Sequence, residues 1–285
     1  MNAIVQWFVA PIQYDFMLKA VLVSAFVGMV CAVLSCYMTL KGWALMGDAV
    51  SHSVTPGVVL AYILNLPFAL GAFVFGIGSV LAIGFIKSKT RIKEDTVIGL
   101  VFTGFFALGL VLISKNPSNV DLMHILFGNV LGIPMHDIIQ TLVIGSITLA
   151  IILVLRKDLL LFCFDPTHAQ SIGLNTTALY YTLLTLLSLT IVVALQAVGI
   201  ILVVAMLVTP GAIAYLLSDR FDHMMIFAVI SGIFSSVMGT YVSYYLDAST
   251  GGCIVVLQTL IFVITMILAP KHGLIARMRK QSIIE

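Results

Sequence analysis

Nine apolar runs of about twenty residues follow one another along this chain with little between them: 17–40, 44–64, 66–86, 96–114, 137–155, 178–195, 198–217, 224–246 and 252–269. A helix needs about 20 residues to cross about 30 Å of hydrocarbon. A chain of this pattern is expected to be all-α, a polytopic transmembrane helical bundle of eight to nine spans. Composition agrees, with 61% of residues hydrophobic and 9% charged against about 25% charged in soluble domains. A single transmembrane domain over 1–285 accounts for the whole length. The net charge of +2 is too small to suggest a nucleic-acid partner, so membrane lipid is the expected surrounding.

The segment 120–134 is apolar but short and ends at Pro134. It reads as an outer interfacial or re-entrant helix. Orientation follows from the basic residues. With the C-terminus in the cytoplasm, the inner loops hold Lys41, Lys87, Lys89, Arg91, Lys93, Arg156, Lys157, Arg220, Lys271, Arg277, Arg279 and Lys280, all but two of the 14 Lys and Arg. Only Lys19 and Lys115 fall elsewhere. The positive-inside rule then puts the N-terminus outside and the C-terminus inside, with Trp7, Phe8 and Tyr14 as anchors at the outer interface. A tenth span at 120–134 would carry most of the early basic residues outward, which argues against it. The N-terminus lacks a basic n-region and a small-residue cleavage site, so no removable signal peptide is expected. Cys31, Cys36, Cys163 and Cys253 form no C-x-x-C and no zinc-finger spacing; they read as small buried apolar residues.

Within the second run, Asp48 and His52 are four residues apart in Met46-Gly47-Asp48-Ala49-Val50-Ser51-His52-Ser53-Val54-Thr55-Pro56-Gly57. That spacing puts both side chains on one helix face. An ionisable group at the bilayer centre costs about 2.5–3.5 kcal/mol on insertion scales, and such groups mark ion or substrate paths. Counting about 1.5 Å per residue from Lys41 and Trp43, Asp48 falls about 9 Å deep and His52 about 15 Å. A carboxylate and an imidazole facing the same way suit a divalent transition metal. Pro56 removes a backbone hydrogen bond and clashes with the His52 carbonyl, so Pro56-Gly57 is expected to break the helix there. Ser51, Ser53 and Thr55 add hydroxyls beside the break. The seventh run carries a second Thr-Pro-Gly at Thr209, Pro210 and Gly211, readable either as a second break gating the same path or as a packing kink.

Asp165-Pro166-Thr167-His168-Ala169-Gln170-Ser171-Ile172-Gly173 lies in an inner loop. Asp as N-cap, Pro at the first helical position and Gly beyond the end spell a two-turn helix outside the membrane, suited to docking a partner. Asp247, after Tyr244 and Tyr245, reads as a loop carboxylate at the outer end of the eighth run. His124, His136, His168, His223 and His272 read as surface or interfacial. The chain contains no G-x-x-x-x-G-K-[ST], H-E-x-x-H or G-x-S-x-G, so it carries no motif for hydrolysing ATP, peptides or esters. It is expected to be no enzyme and to need no intrinsic cofactor.

These residues resemble a known family, the membrane permeases of bacterial ABC importers for manganese, zinc and iron. The likeness runs from Gln13-Tyr14 to about Arg277. It includes Leu40 through Gly57, Asp165 through Leu174, Val198 through Ala214, Ser243 through Asp247 and Gly251-Gly252. Lys93-Glu94-Asp95, Ser218 through Phe221 and Ala269 through Leu274 look like the manganese and chelated-iron branch. The resemblance implies a permease of the bacterial inner (plasma) membrane that pairs with a second copy of itself. It implies a cytosolic ABC ATPase dimer docked on the helix around 165–173, with Asp165, Pro166, Ala169 and Gly173 forming that element. It implies an extracytoplasmic metal-binding protein that delivers Mn²⁺, Fe²⁺ or Zn²⁺. It places the intramembrane metal contacts on Asp48 and His52, with Ser51, Thr55, Pro56, Gly57, Thr209 and Pro210 along the path. A secondary metal transporter driven by an ion gradient is the rival reading. An intramembrane enzyme using Asp48 and His52 as an acid–base pair lacks further catalytic groups at membrane depth.

Overall fold

The computed structural model describes residues 11, 13–115, 132–270 and 273–275. The expected helix at 120–134, apart from its last three residues, and the anchors Trp7 and Phe8, His124, His272, Lys271 and the basic residues from Arg277 onward lie outside these. Among the described residues all regular structure is helical. In chain order the helices are α1 Asp15–Lys41, α2 Met46–Ser53, α3 Thr55–Ile63, α4 Phe68–Lys89, α5 Glu94–Lys115, α6 Met135–Val154, α7 Arg156–Phe164, α8 Pro166–Ser171, α9 Thr176–Val198, α10 Ile200–Leu217, α11 Phe221–Leu246 and α12 Thr250–Leu268.

Eight of these are long and apolar enough to cross a membrane: α1, α4, α5, α6, α9, α10, α11 and α12. The ninth apolar run, 44–64, is present but broken. Its helix stops at Ser53 and restarts at Thr55. Pro56 falls in the first turn of α3, where no intrahelical N–H is required of it. The expected break is therefore there, and it explains why nine runs give eight full-length spans. The seventh run behaves differently. α10 continues through Pro210, so Thr209-Pro210-Gly211 does not end a helix. The interruption in that region is at Gly199, whose φ of 85° ends α9 one residue before α10 begins; a left-handed backbone favours glycine at such a junction.

Two compact units make up the chain. The first comprises Met1–Thr39, Asn129–Leu142 and Ala205–Glu285. Its helices touch through small residues and hydroxyls. A Cβ on Gly28 would lie 3.0 Å from the Gly232 carbonyl oxygen, so α1 and α11 meet backbone to backbone, as helices in lipid commonly do. Ser24 and Thr240 share a hydrogen bond of 3.2 Å, and the rings of Tyr37 and Phe221 are 5.0 Å apart. Cys36 is buried and donates to its own helix.

The second unit comprises Leu40–Gly128 and Val143–Val204. Val54, Val58, Val59, Ala72 and Val192 form a buried apolar cluster, with Phe68, Leu112 and Ile113 packed against it. Gly57 on α3 and Gly71 on α4 approach so closely that a Cβ on either would overlap the other's carbonyl. Large apolar side chains such as Val74, Phe85, Leu100 and Val111 point outward, as a surface facing lipid chains requires.

Candidate functional site

α2 is a short helix of eight residues whose outward face carries both ionisable groups of the second run. His52 Nε2 stands 3.4 Å from Asp48 Oδ1, with 30% of the His52 side chain and 44% of the Asp48 side chain exposed. The i,i+4 reading is thus realised in space. The imidazole is framed by Phe102 and Phe106 of α5, whose rings lie edge-on at 5.5 and 5.2 Å. These two phenylalanines restrict the plane of the imidazole. Sequence reading missed them, although their i,i+4 spacing on a neighbouring apolar run is a usable signal.

The hydroxyls beside the pair divide. Ser51 and Ser53 are buried and donate to the carbonyls of Gly47 and Ala49, each at 2.7 Å, a back-bonding that bends a helix. Thr55 is buried, and its Oγ1 finds no partner. Gly109 of α5 packs against Thr55 and Pro56; a Cβ there would meet Thr55 Cγ2 at 2.9 Å and Pro56 N at 3.1 Å. Thr209 and Pro210 belong to the other compact unit. There, Gly211 N–H donates to Ser35 Oγ at 2.9 Å, and Ser35 Oγ donates to the Val208 carbonyl at 3.2 Å. One serine of α1 thereby bonds backbone groups on either side of the proline.

Among the described residues no group of three or more His, Cys, Asp and Glu is arranged to hold a metal. Asp48 and His52 are therefore a two-point donor set: one hard carboxylate and one imidazole, without thiolate. The other described histidines are peripheral. His168 and His223 are exposed, and His136 pairs with its neighbour Asp137 at 3.4 Å on an exposed end. Asp247, also exposed, caps α11 in a left-handed conformation with φ 48°.

The capped helix in the loop is also as read. Asp165 Oδ1 accepts from His168 N–H at 2.9 Å, Pro166 opens α8, and Gly173 closes it with φ 91°. Ala169 alone on α8 is buried. Its neighbours are exposed, including the apolar Phe164 at 66% and Ile172 at 57%. Behind α8, Cys163 is buried and its thiol is pushed up to about 12, chiefly by that burial, with the Lys41 charge opposing. It is an inert packing residue.

Eight apolar spans, a ninth run broken around a carboxylate and an imidazole, and an exposed, capped loop helix describe a multi-pass membrane protein. The family model described as the ABC 3 transport family matches residues 13–269, and the chain belongs to that family. It is 69% identical over 277 residues to the manganese transport system membrane protein MntB of Synechocystis, covering 97% of this chain and 90% of that one. It is 50% identical over 267 residues to the chelated iron transport system membrane protein YfeD of Yersinia pestis, covering 94% and 90%. Among solved structures it resembles PsaBC of Streptococcus pneumoniae in complex with Fab, with a TM-score of 0.84, 38% identity and 98% and 99% of the two chains covered.

Proposed function

We propose that this chain is the membrane subunit of an ATP-driven importer that carries divalent metal ions into the cytoplasm, Mn²⁺ and Fe²⁺ ahead of Zn²⁺. The observation that carries the reading is the Asp48–His52 pair, two adjacent donors on a broken helix in an otherwise apolar stretch. The names of the relatives, manganese for one and chelated iron for another, favour those two metals, and an oxygen plus imidazole set without thiolate suits them.

In this reading the ion arrives from an extracytoplasmic binding protein and is held by Asp48 and His52. Two donors fall short of the roughly six that Mn²⁺ takes from oxygen-rich sites. Water, carbonyls at the Val54 break, or the same pair from a second permease copy supply the rest. His52 offers an imidazole nitrogen to the ion. Ser51, Thr55, Pro56 and Gly57 line or shape the path. A cytosolic ATPase dimer docks on α8 through Asp165, Pro166, Ala169 and Gly173 and performs the hydrolysis for which this chain has no motif. The N-terminus lies outside and the C-terminus inside.

The test is uptake of radiolabelled Mn²⁺, Fe²⁺ and Zn²⁺ into vesicles holding the permease with its ATPase and binding protein. ATP-dependent uptake that disappears in Asp48→Ala and in His52→Ala, with assembly intact, is the expected result. Normal uptake in both variants would sink the site. Uptake driven by a proton gradient without ATP would replace the importer by a secondary transporter.

A further inference from the structure

The short strap between α1 and α2, Lys41-Gly42-Trp43, grips both helices that flank α8. Lys41, the last residue of α1, donates from Nζ to the Phe162 carbonyl at 3.3 Å, and the same ammonium lies 3.9 Å from the Phe162 ring centroid. Phe162 is in the last turn of α7, where carbonyls lack intrahelical donors and a cation is favoured by the helix dipole. α7 passes directly through Asp165 into α8.

Gly42, with φ 74°, turns the chain so that Trp43 enters the core, where it is 1% exposed. Its ring meets Tyr180 edge-on at 5.5 Å and 88°. Tyr180 is in the opening turns of α9, the next helix after α8, and its hydroxyl donates to Glu94 Oε1 of α5 at 3.1 Å. α8 is thus bracketed by two contacts with one strap: upstream through Phe162 and downstream through Tyr180. The strap continues at once into α2, with Met46 N–H bonding the Trp43 carbonyl at 3.1 Å and Asp48 five residues beyond Trp43.

We propose that Lys41, Trp43 and Tyr180 are positioning residues that transmit the displacement of α8 to the helix bearing Asp48 and His52. The proposal rests on the reading that α8 receives the ATPase and that the Asp–His pair receives the ion. The chemistry is that of a rigid link. A half-buried ammonium fixed to a helix-end carbonyl and a buried indole wedged on a phenol leave α7, α9 and α2 no independent movement. Chains of packed and hydrogen-bonded groups of this kind carry coupling energy between sites. The Trp43 indole N–H has no partner, so ring shape rather than hydrogen bonding is what this residue contributes.

The experiment uses the full complex of permease, ATPase and binding protein in vesicles, reading Mn²⁺ bound to the permease, ATP hydrolysed and Mn²⁺ taken up. Lys41→Met keeps the stem and removes the charge; Trp43→Ala removes the wedge; Trp43→Phe keeps an aromatic edge on Tyr180. The expected result is that Lys41→Met and Trp43→Ala bind Mn²⁺ and hydrolyse ATP while uptake per ATP falls about tenfold, within the range of measured couplings. Trp43→Phe stays close to native. Unchanged uptake per ATP in Lys41→Met and Trp43→Ala overturns the link. So does loss of Mn²⁺ binding or of assembly in either, which would make these residues part of the site or of folding. If the native complex shows no ATP-dependent uptake, the functional reading fails first and takes the link with it.

Discussion

A single hydroxyl bonds α10 on both sides of its proline. Pro210 offers no N–H and crowds the carbonyl four residues back, and Ser35 Oγ takes the Gly211 N–H and donates to the Val208 carbonyl. Ser35→Ala removes both bonds, at a cost of about 1–3 kcal/mol. Thermal unfolding in detergent checks this; a melting temperature equal to native would show that Ser35 is dispensable. The residue scale is also where sequence reading succeeds and fails most clearly. Asp48 and His52 were legible because i,i+4 is a local geometry that needs nothing else from the fold. Ser35 was not, because its partners lie far along the chain and nothing local to Ser35 marks them. The two Thr-Pro-Gly motifs look alike in sequence, yet one has such a partner inside a continuous helix and the other opens a new helix.

Elements were legible where their ends are written locally. α8 has its cap, its proline and its glycine in nine consecutive residues, and all three act as expected. Asp165→Ala removes the accepted His168 N–H bond, a change worth about 1 kcal/mol in N-caps. It is expected to weaken recovery of the ATPase with the permease while leaving Mn²⁺ binding at Asp48 and His52 intact. A pull-down paired with a binding isotherm separates the two, and undiminished recovery of the ATPase would remove α8 from its role. Where an element's identity depends on contacts from elsewhere, sequence falls short. The strap Lys41–Trp43 reads as a bare loop, and its grip on Phe162 and Tyr180 joins segments more than a hundred residues apart.

For the whole molecule, the nine apolar runs set the class, and the structure distributes them as eight full spans and one broken one. Asp48 and His52 remain substantially exposed on the single chain, and lipid is a costly neighbour for both. A second copy covering that face is expected, so the purified permease should weigh as two chains once its detergent is subtracted; light scattering measures this, and a one-chain particle would contradict it. The broken run has another consequence, for biogenesis. The translocon sorts segments by apolarity over a full span, and ionisable side chains such as Asp48 and His52 oppose insertion. The stretch from Met46 to Ile63 is therefore ill suited to partition into the bilayer by itself. Its tight Gly57–Gly71 seam with α4 makes the two a natural hairpin, inserted together, so that the segment bearing Asp48 and His52 is the one most dependent on its successor to enter the membrane.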